Sequence, residues 1–560
     1  MGLFDKIKGA FSAEVRTPEI QASVGSAYEG ANRMNLELAR WNPPLMSADG
    51  DILGSKDSLD ARGRDMVRNH PLISNAVELY RNGTAGGKMI LNAKPNGRFL
   101  GLPDDAVNEF QEEAEAVFDV YAYSDSCYVD AAQSMNLTDI VRMGVGGYIV
   151  TGEFLGTFEW FPDRPFGTAL QVIDPDRLSN PDWSMDTERL RAGVEKDQFG
   201  GPVAYHIRTS HPGDHFGTGS GVAKWKRVLA RKPKPWLRLM VLHIRDLMRP
   251  DQTRGVAKMV SALRQMKMLS RFQDVALQNA VIQATIAATL ESDLDPIEAY
   301  QLMGQDAPGF DPEFLSKFND AYLNDALAFR EAGQNAQLNG ASVTYLPPKT
   351  KLNVRALGDG SLGTAFETSL IRGISAALGV SHEELSKNLA DVSFAGIKAA
   401  MAQTHQQMLS VKRAVADKIA SAIYRNFLEE AIGRGMITSL PNFAKRPEFY
   451  MNPVNLDALA TCSWIGAARG SIDEFNEVRA AKIRYDSGFT TMEFECSRLG
   501  LDWRDVQKQR RREAQYLGAD AAKAQEAPET GSEKPQTTAA ATEQRIEALE
   551  QFVEDAQNNQ

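Results

Sequence analysis

His206, His211 and His215, with Asp214 among them, are residue types that bind divalent metals, since imidazole and carboxylate suit several such ions. Their spacing is not that of a helical zinc motif, and the segment is full of glycine and proline. One reading is therefore a metal-dependent nuclease or other enzyme built on these histidines; the other is an ordinary polar loop. A second chemistry-bearing stretch follows, in which Lys224, Lys226, Arg227, Arg231, Lys232, Lys234 and Arg238 alternate with Trp225 and Trp236. Cations with interleaved indoles suit phosphate pairing and base stacking, and they equally suit a solvated loop and strand. Other constellations are missing. No GxxxxGK[ST] phosphate loop occurs, so this is not a P-loop ATPase, and Gly217 to Gly221 fits neither the G-x-S-x-G nor the GxGxxG register. The carboxylate pairs Asp104 and Asp105, Glu383 and Glu384, and Glu429 and Glu430 are adjacent in sequence, and neighbouring helix residues point apart. Cys127, Cys462 and Cys496 form no CxxC pair, which suggests neither a disulfide framework nor a zinc ribbon and fits a reducing cytoplasm. No catalytic constellation, resident metal or cofactor is implied.

The elements that must carry these residues are mostly helical. With 560 residues, 43% hydrophobic and 24% charged, the chain has room for several domains. Its formal charge of −11 argues against a broad basic surface for gripping nucleic acid, because phosphate binding is driven by cations. The start, Met1 to Ser12, carries Asp5, Lys6 and Lys8 where a signal peptide needs its apolar core, and no run reaches the ~18 apolar residues of a membrane span. Residues 1 to about 50 read as an arm, with Trp41-Asn42-Pro43-Pro44 as an anchor for docking on another surface. Helices are expected from Leu59, with Pro71 near a boundary, and from Pro103 to Tyr121. Between Leu137 and Tyr205 the texture becomes mixed α/β: Tyr148–Thr151, Phe154–Trp160 and Leu170–Ile173 read as strands, and Val194-Glu195 with Val203–Ile207 as a hairpin. Leu239–Ile244 is a further buried strand. Helical patterns lacking Gly and Pro, apart from Gly396, run from Lys258 to Leu290 and from Phe394 to Ile432. The second would be ~55 to 60 Å long, a rod suited to packing against copies of itself or spanning an assembly. Short helices follow, Gly518–Ala541 reads as a disordered linker, and Ile546, Leu549, Val553 and Ala556 make a terminal heptad-like stripe.

The pattern His243, Arg249-Pro250, Gln252, Arg254-Gly255 resembles the segment before the long helix in portal proteins of lambda-type tailed phages. Other segments resemble that family in the same order: Val67-Arg-Asn-His-Pro71, Val172–Leu178, Leu378–Leu385, and Cys462–Gly466 ahead of Ile472-Asp473 and Gly488–Thr491. The resemblance spans roughly residues 30 to 515. Where the family tends to have Tyr-Ser-Ser/Thr followed by Arg, this chain has Phe394-Ala395-Gly396-Ile397-Lys398.

The resemblance implies an α+β, mostly helical subunit with long stem helices and a mixed α/β wing. The corresponding division is an arm at 1–50, a wing at 51–255, a stem helix at 256–290 and a clip at 291–360. A stem helix with a tunnel loop follows at 361–395, then a long wing helix and helical crown at 396–517, and a tail at 518–560. It further implies a homo-oligomeric ring, twelve subunits in the family, assembled in the host cytoplasm and placed at one capsid vertex of the virion. Double-stranded DNA would pass through the channel, with terminase, the major capsid protein and head-completion or adaptor proteins as partners. Lys387, Asn388 and Asp391 become candidates for a DNA-contacting tunnel loop within Ser386–Ser393, and Met266, Leu269, Val415 and Ile419 candidates for oligomer or stem packing. Truncation after Leu517 is expected to leave the ring intact by native mass measurement, because the tail is too polar to build a core; loss of rings would make the terminal stripe an assembly element.

Overall fold

The computed structural model describes residues 40–214, 224–233, 237–285, 289–290, 344–345, 361–389, 392–468, 470 and 473–525. Those up to 470 belong to one compact unit and those from 473 to a second. In the first, a short helix Ala48–Ile52 is capped by Ser47, whose Oγ accepts from the Gly50 amide at 3.1 Å. Helices α1 (Lys56–Asn69) and α2 (Pro71–Ala85) break at extended His70, where Pro71 supplies a preset φ and no orphan N–H. After β1 (Ile90–Ala93) come α3 (Asp104–Tyr123), with acids in its first turn, and α4 (Leu137–Thr151), which opens on an Asn136–Asp139 capping box.

Tyr148–Thr151, expected as a strand, is the last turn of α4. Its residues are largely buried, and tertiary packing overrides the β preference of Ile149, Val150 and Thr151. The expected strands after it are present. β2 (Glu153–Trp160) pairs antiparallel with β3 (Thr168–Ile173). β4 (Leu190–Arg191), β5 (Val194–Lys196), β6 (Pro202–Arg208) and β7 (Trp225–Leu229) form an antiparallel meander in chain order, which contains the expected hairpin. β8 (Val241–Arg245) then returns to the other edge of β2, with His243 opposite Leu155. A small core of Leu155, Ile173, Leu178, Tyr205, Ile207 and Val241 joins the two sheets.

The helix expected over Lys258–Leu290 begins as a 3-10 turn, Lys258–Ala262, and continues as α5 (Leu263–Thr285); Thr289-Leu290 is instead extended and pairs in parallel with Thr344-Tyr345. The rest of the expected clip lies outside the described residues. α6 (Ser361–Leu378) and α7 (His382–Ser386) precede α8 (Phe394–Val411), which passes through a π turn at Lys412–Ala416 into α9 (Asp417–Gly433). Together α8, the π turn and α9 make one run ~60 Å long. Its buried stripe is not left for a copy of the chain. Gly83 and Gly144 let α2 and α4 approach it: a Cβ on Gly83 would meet Met408 Sδ at 2.0 Å, and one on Gly144 would meet Ile419 Cδ1 at 2.3 Å. Lys412, at the π turn, donates to the Trp464 carbonyl at 2.8 Å and to Asp417 at 2.6 Å. That carbonyl belongs to β9 (Cys462–Ile465), which pairs antiparallel with β1; sequence reading assigned neither strand.

An aromatic cluster fills the centre. Tyr121 stacks on Phe427 at 4.6 Å, and Phe118 meets Tyr424 and Phe427 edge-on at 5.3 and 5.2 Å. Glu430, buried on the same helix, accepts from the Gly167 and Thr168 amides at 2.7 Å each, tying α9 to the start of β3. The second unit holds α10 (Glu474–Asp486), α11 (Met492–Arg498) and α12 (Trp503–Gln525). α12 overruns the start of the expected linker at Gly518, because Ala519, Ala521, Ala522 and Ala524 favour helix despite the polar composition.

Met266, Leu269, Val415 and Ile419 are all 0% exposed inside the subunit. Any part they take in assembly is therefore exerted through the fold. Met266→Asp or Val415→Asp should cost several kcal/mol, since each buries an unpaired carboxylate, and should yield unfolded or aggregated chain in thermal melts. Folded but unassembled monomers would instead mark these positions as interface residues.

Candidate functional site

The resemblance-bearing residues around Arg254 meet at one buried charged junction. Arg254 forks onto Glu153, its Nε 2.9 Å from Oε1 and its Nη2 2.8 Å from Oε2, and also donates to the Pro175 and Leu178 carbonyls at 3.0 and 3.3 Å. The Gly255 amide donates to the same carboxylate. Lys56 Nζ lies 3.8 Å from Glu153, 2.6 Å from Asp60 and 2.8 Å from the Thr151 carbonyl. Close backbone approach is what lets the groups converge. Gly152 has φ +78°, and a Cβ on Gly255 would sit 2.1 Å from the Gly152 carbonyl oxygen. His243 is fully buried beside Glu153, its Nε2 at 3.7 Å, and burial lowers its pKa, so it stays neutral. Gln252 braces the turn by donating to the Asp246 and Arg254 carbonyls at 2.8 Å. Asp49 accepts from the Thr253 amide at 2.7 Å and pairs with Arg191 and Lys196, while Arg249 reaches Asp51 and the Met46 carbonyl. The segment before α5 is thus a structural hub.

Burial pushes the Glu153 carboxyl up, but Arg254 foremost outweighs it and holds it well below the usual range. Asp60 goes the other way: burial prevails over Lys56 and raises it to about 6.

The Ser386–Ser393 segment has fixed ends. Ser386, expected in the loop, closes α7, and Lys387 takes a left-handed conformation at φ +57° as the helix stop. Ser381 caps α7 through Glu384, and Asn75 of α2 donates to the Glu384 and Leu385 carbonyls at 3.0 Å. Tyr80 holds the Leu378 carbonyl at 2.5 Å. On the far side Ser393 caps α8 by accepting from Gly396 at 3.2 Å, so the departure at Phe394–Gly396 still starts a helix. Lys387, Asn388 and Leu389 are exposed between these anchors; Asp391 lies outside the described residues.

The histidines do not converge. His206 Nε2 is 2.6 Å from Glu195, which also binds Arg227 and is lowered to about 2 by Arg227 and then His206. His211 lies 3.4 Å from Asp176 and 4.0 Å from Asp174, in another cluster, and His215 is outside the described residues. An ion on Asp174, Asp176 and His211 would sit against the Arg64 guanidinium, which already binds both aspartates, so this donor set fits a metal poorly. Nor does the basic run form one cationic face. Lys226 reaches Glu159, Arg227 binds Glu195, Arg238 donates to Thr168, and Trp225 donates to Ser179. Lys234 and Trp236 lie outside the described residues.

A family described as "Phage portal protein, lambda family" matches residues 35–412. This chain belongs to that family. It is 32% identical over 491 residues to the portal protein of Escherichia phage N15, covering 87% of this chain and 89% of the relative. Identity to portal protein B of Escherichia phage lambda is 31% over 490 residues, with the same coverage. Among solved structures, a chain from the neck of a native GTA particle computed with C12 symmetry is similar at 14% identity and a TM-score of 0.40, covering 80% of this chain and 93% of that one. The nuclease reading finds no support. No helix among the described residues is long and apolar enough to cross a membrane.

The junction predicts opposed pH dependences. Glu153, with a depressed folded pKa, stabilises fully above about 4.5, and that stability is lost as pH falls through its folded pKa. Asp60, raised to about 6, makes stability fall as pH climbs from about 4 to 6, since the folded state holds the proton longer. Denaturation of Asp60→Asn across that range should show the decline removed; an unchanged profile would mean that Asp60 is not perturbed. Arg254→Met should cost about 3–5 kcal/mol by stranding Glu153.

Proposed function

We propose that this portal protein forms a closed ring at one vertex of the virion, through which double-stranded DNA is packaged, retained and ejected and to which the tail is joined. The family relationship at 31–32% identity over most of the chain is the observation that carries this reading. A symmetric ring follows from membership; twelve copies is the proposed number. The role is structural. Terminase would dock during packaging and head-completion or adaptor proteins afterwards, with the major capsid protein around the ring and assembly in the host cytoplasm. The division into wing, stem, clip and crown belongs to the same proposal.

Within the ring, the loop from Lys387 to Ser393 is the element proposed to touch moving DNA. Its ends are held by α2 and by two serine caps, so its exposed residues Lys387–Leu389 can shift without disturbing the packed helices. Lys387 and Asn388 would meet phosphates, and Asp391 would limit the grip. The net charge of −11 fits a conduit in which DNA slides, because many Lys–phosphate pairs would make it stick. Native mass measurement should give a large closed ring, and a stable monomer under all assembly conditions would refute it. Deleting Asn388–Ala390 should leave assembly nearly normal while impairing packaging or retention of DNA. A shortened protein that fails to assemble, or that packages and keeps a full genome, would remove the loop from this role.

A further inference from the structure

Beside the sheet β4–β7, at the end of the 3-10 turn Pro181–Trp183, one indole stands out from the surface. Trp183 is 73% exposed, and both it and Asp182 adopt left-handed backbone, φ +58° and +52°. Two consecutive left-handed residues other than glycine are strained and need a packing reason. None is met within the subunit by burying the ring. Trp183 instead stands edge-to-face on Trp225 at 6.0 Å, and the two indoles flank the Arg208 guanidinium, centred 5.3 and 5.7 Å from them. Arg208 is only 9% exposed, its buried Nε has no hydrogen-bond partner, and no carboxylate pairs with it among the described residues. Arg177 fixes the backbone beneath by donating to the Arg208 carbonyl at 2.7 Å. The result is a notch of two crossed indoles over an un-neutralised cation.

The same chain carries a segment suited to such a notch. From Trp41 to Ser47 every residue is exposed, Leu45 completely and Trp41 at 69%, and Pro43-Pro44 stiffens the stretch. Pro-rich extended segments dock on exposed indoles because little chain entropy remains to be lost. The sequence ahead of Trp41 also offers the carboxylate of Glu37. The root of the arm is rigid: Asp49 is bound by Thr253, Arg191 and Lys196, and Arg249 grips Asp51 and the Met46 carbonyl. Arg191 and Lys196 lie on β4 and β5, whereas Arg208 and Trp225 of the notch lie on β6 and β7, towards the other edge, where Trp183 meets them from the turn Pro181–Trp183. A protrusion on one edge and a receiver on the other are what a head-to-tail contact requires, and such contacts close into rings.

We propose that the Trp41–Leu45 arm of one copy docks on the Trp183–Arg208–Trp225 notch of a neighbouring copy. This rests on the ring reading above. At ~3.1 Å per residue the arm extends about 20 Å from Ser47, enough to leave its own subunit. To test it, Asn42→Cys and Met185→Cys would be placed in separate full-length chains carrying different tags, co-expressed and oxidised. Disulfide-linked pairs bearing both tags are expected, absent with either variant beside the parent chain. Adding Trp183→Ala, or replacing Pro43 and Pro44 with Ser, should cut their yield about tenfold or more, as when an interface anchor is truncated. Rings that form without mixed pairs, or with another protein cross-linked over Trp183, would overturn the docking while leaving the ring reading intact. A yield insensitive to both changes would also overturn it. Failure to form rings at all would count against the ring reading, and the mixed pairs would still be scored on their own.

Discussion

Glu153 is the point on which the first unit turns. It begins β2 immediately after Gly152, receives Arg254 and Gly255 just ahead of α5, and lies near Lys56 of α1 and His243 of β8. A buried ion cluster contributes little net stability over a well-packed apolar one, because desolvation offsets most of the attraction. What it does supply is geometry. An Arg fork on a carboxylate tolerates few orientations, and the Gly152–Gly255 contact tolerates no side chain, so strand β2, helix α1 and the segment leading into α5 are held in one relation.

The long helix answers a different requirement. A 60 Å helix carrying an apolar stripe over most of its length would be a liability in a free subunit unless the stripe were covered. Here α2, α4 and β9 cover it, with Gly83 and Gly144 allowing backbone approach to Met408 and Ile419. The π turn brings Lys412 to the Trp464 carbonyl and so ties the midpoint of the helix to a strand whose partner, β1, comes from the other end of the chain. The subunit therefore has its own core before any ring forms, and surfaces such as the Trp183 notch and the loop at Lys387 remain for contacts outside it.

Period made much of this legible. Long runs without Gly or Pro, the Ser381–Glu384 cap and the alternating strands around Phe154 and Val203 all express local rules. Tyr148–Thr151 was misread because a short, nearly all-buried run has no period to separate helix from strand. β1 and β9 were missed because each is only four residues long and is made a strand by a partner far away in sequence. At the junction, His243, Gln252 and Arg254 stood out as a pattern, but Glu153, about a hundred residues earlier, did not: a buried acid has no sequence signature until its cation is placed beside it. The histidines misled for the converse reason. Similar residue types close in sequence were sent by β-sheet geometry to separate acids, His206 to Glu195 and His211 to Asp176.

A ring of such subunits has to stay joined while exposed loops on it move. Glu153 and Glu430 are held inside the first unit by cations and backbone amides; the exposed loop at Lys387 is joined to it through caps and backbone carbonyls rather than through side chains of the core. A force applied to the loop would load the Ser381 and Ser393 caps and the Asn75 bonds first, each worth about 1 kcal/mol and readily remade. The Glu153 junction, costly to break because it would strand buried charges, would be loaded last. That ordering of strengths allows local motion of the loop while the relation of the Arg254 segment to the sheet stays fixed.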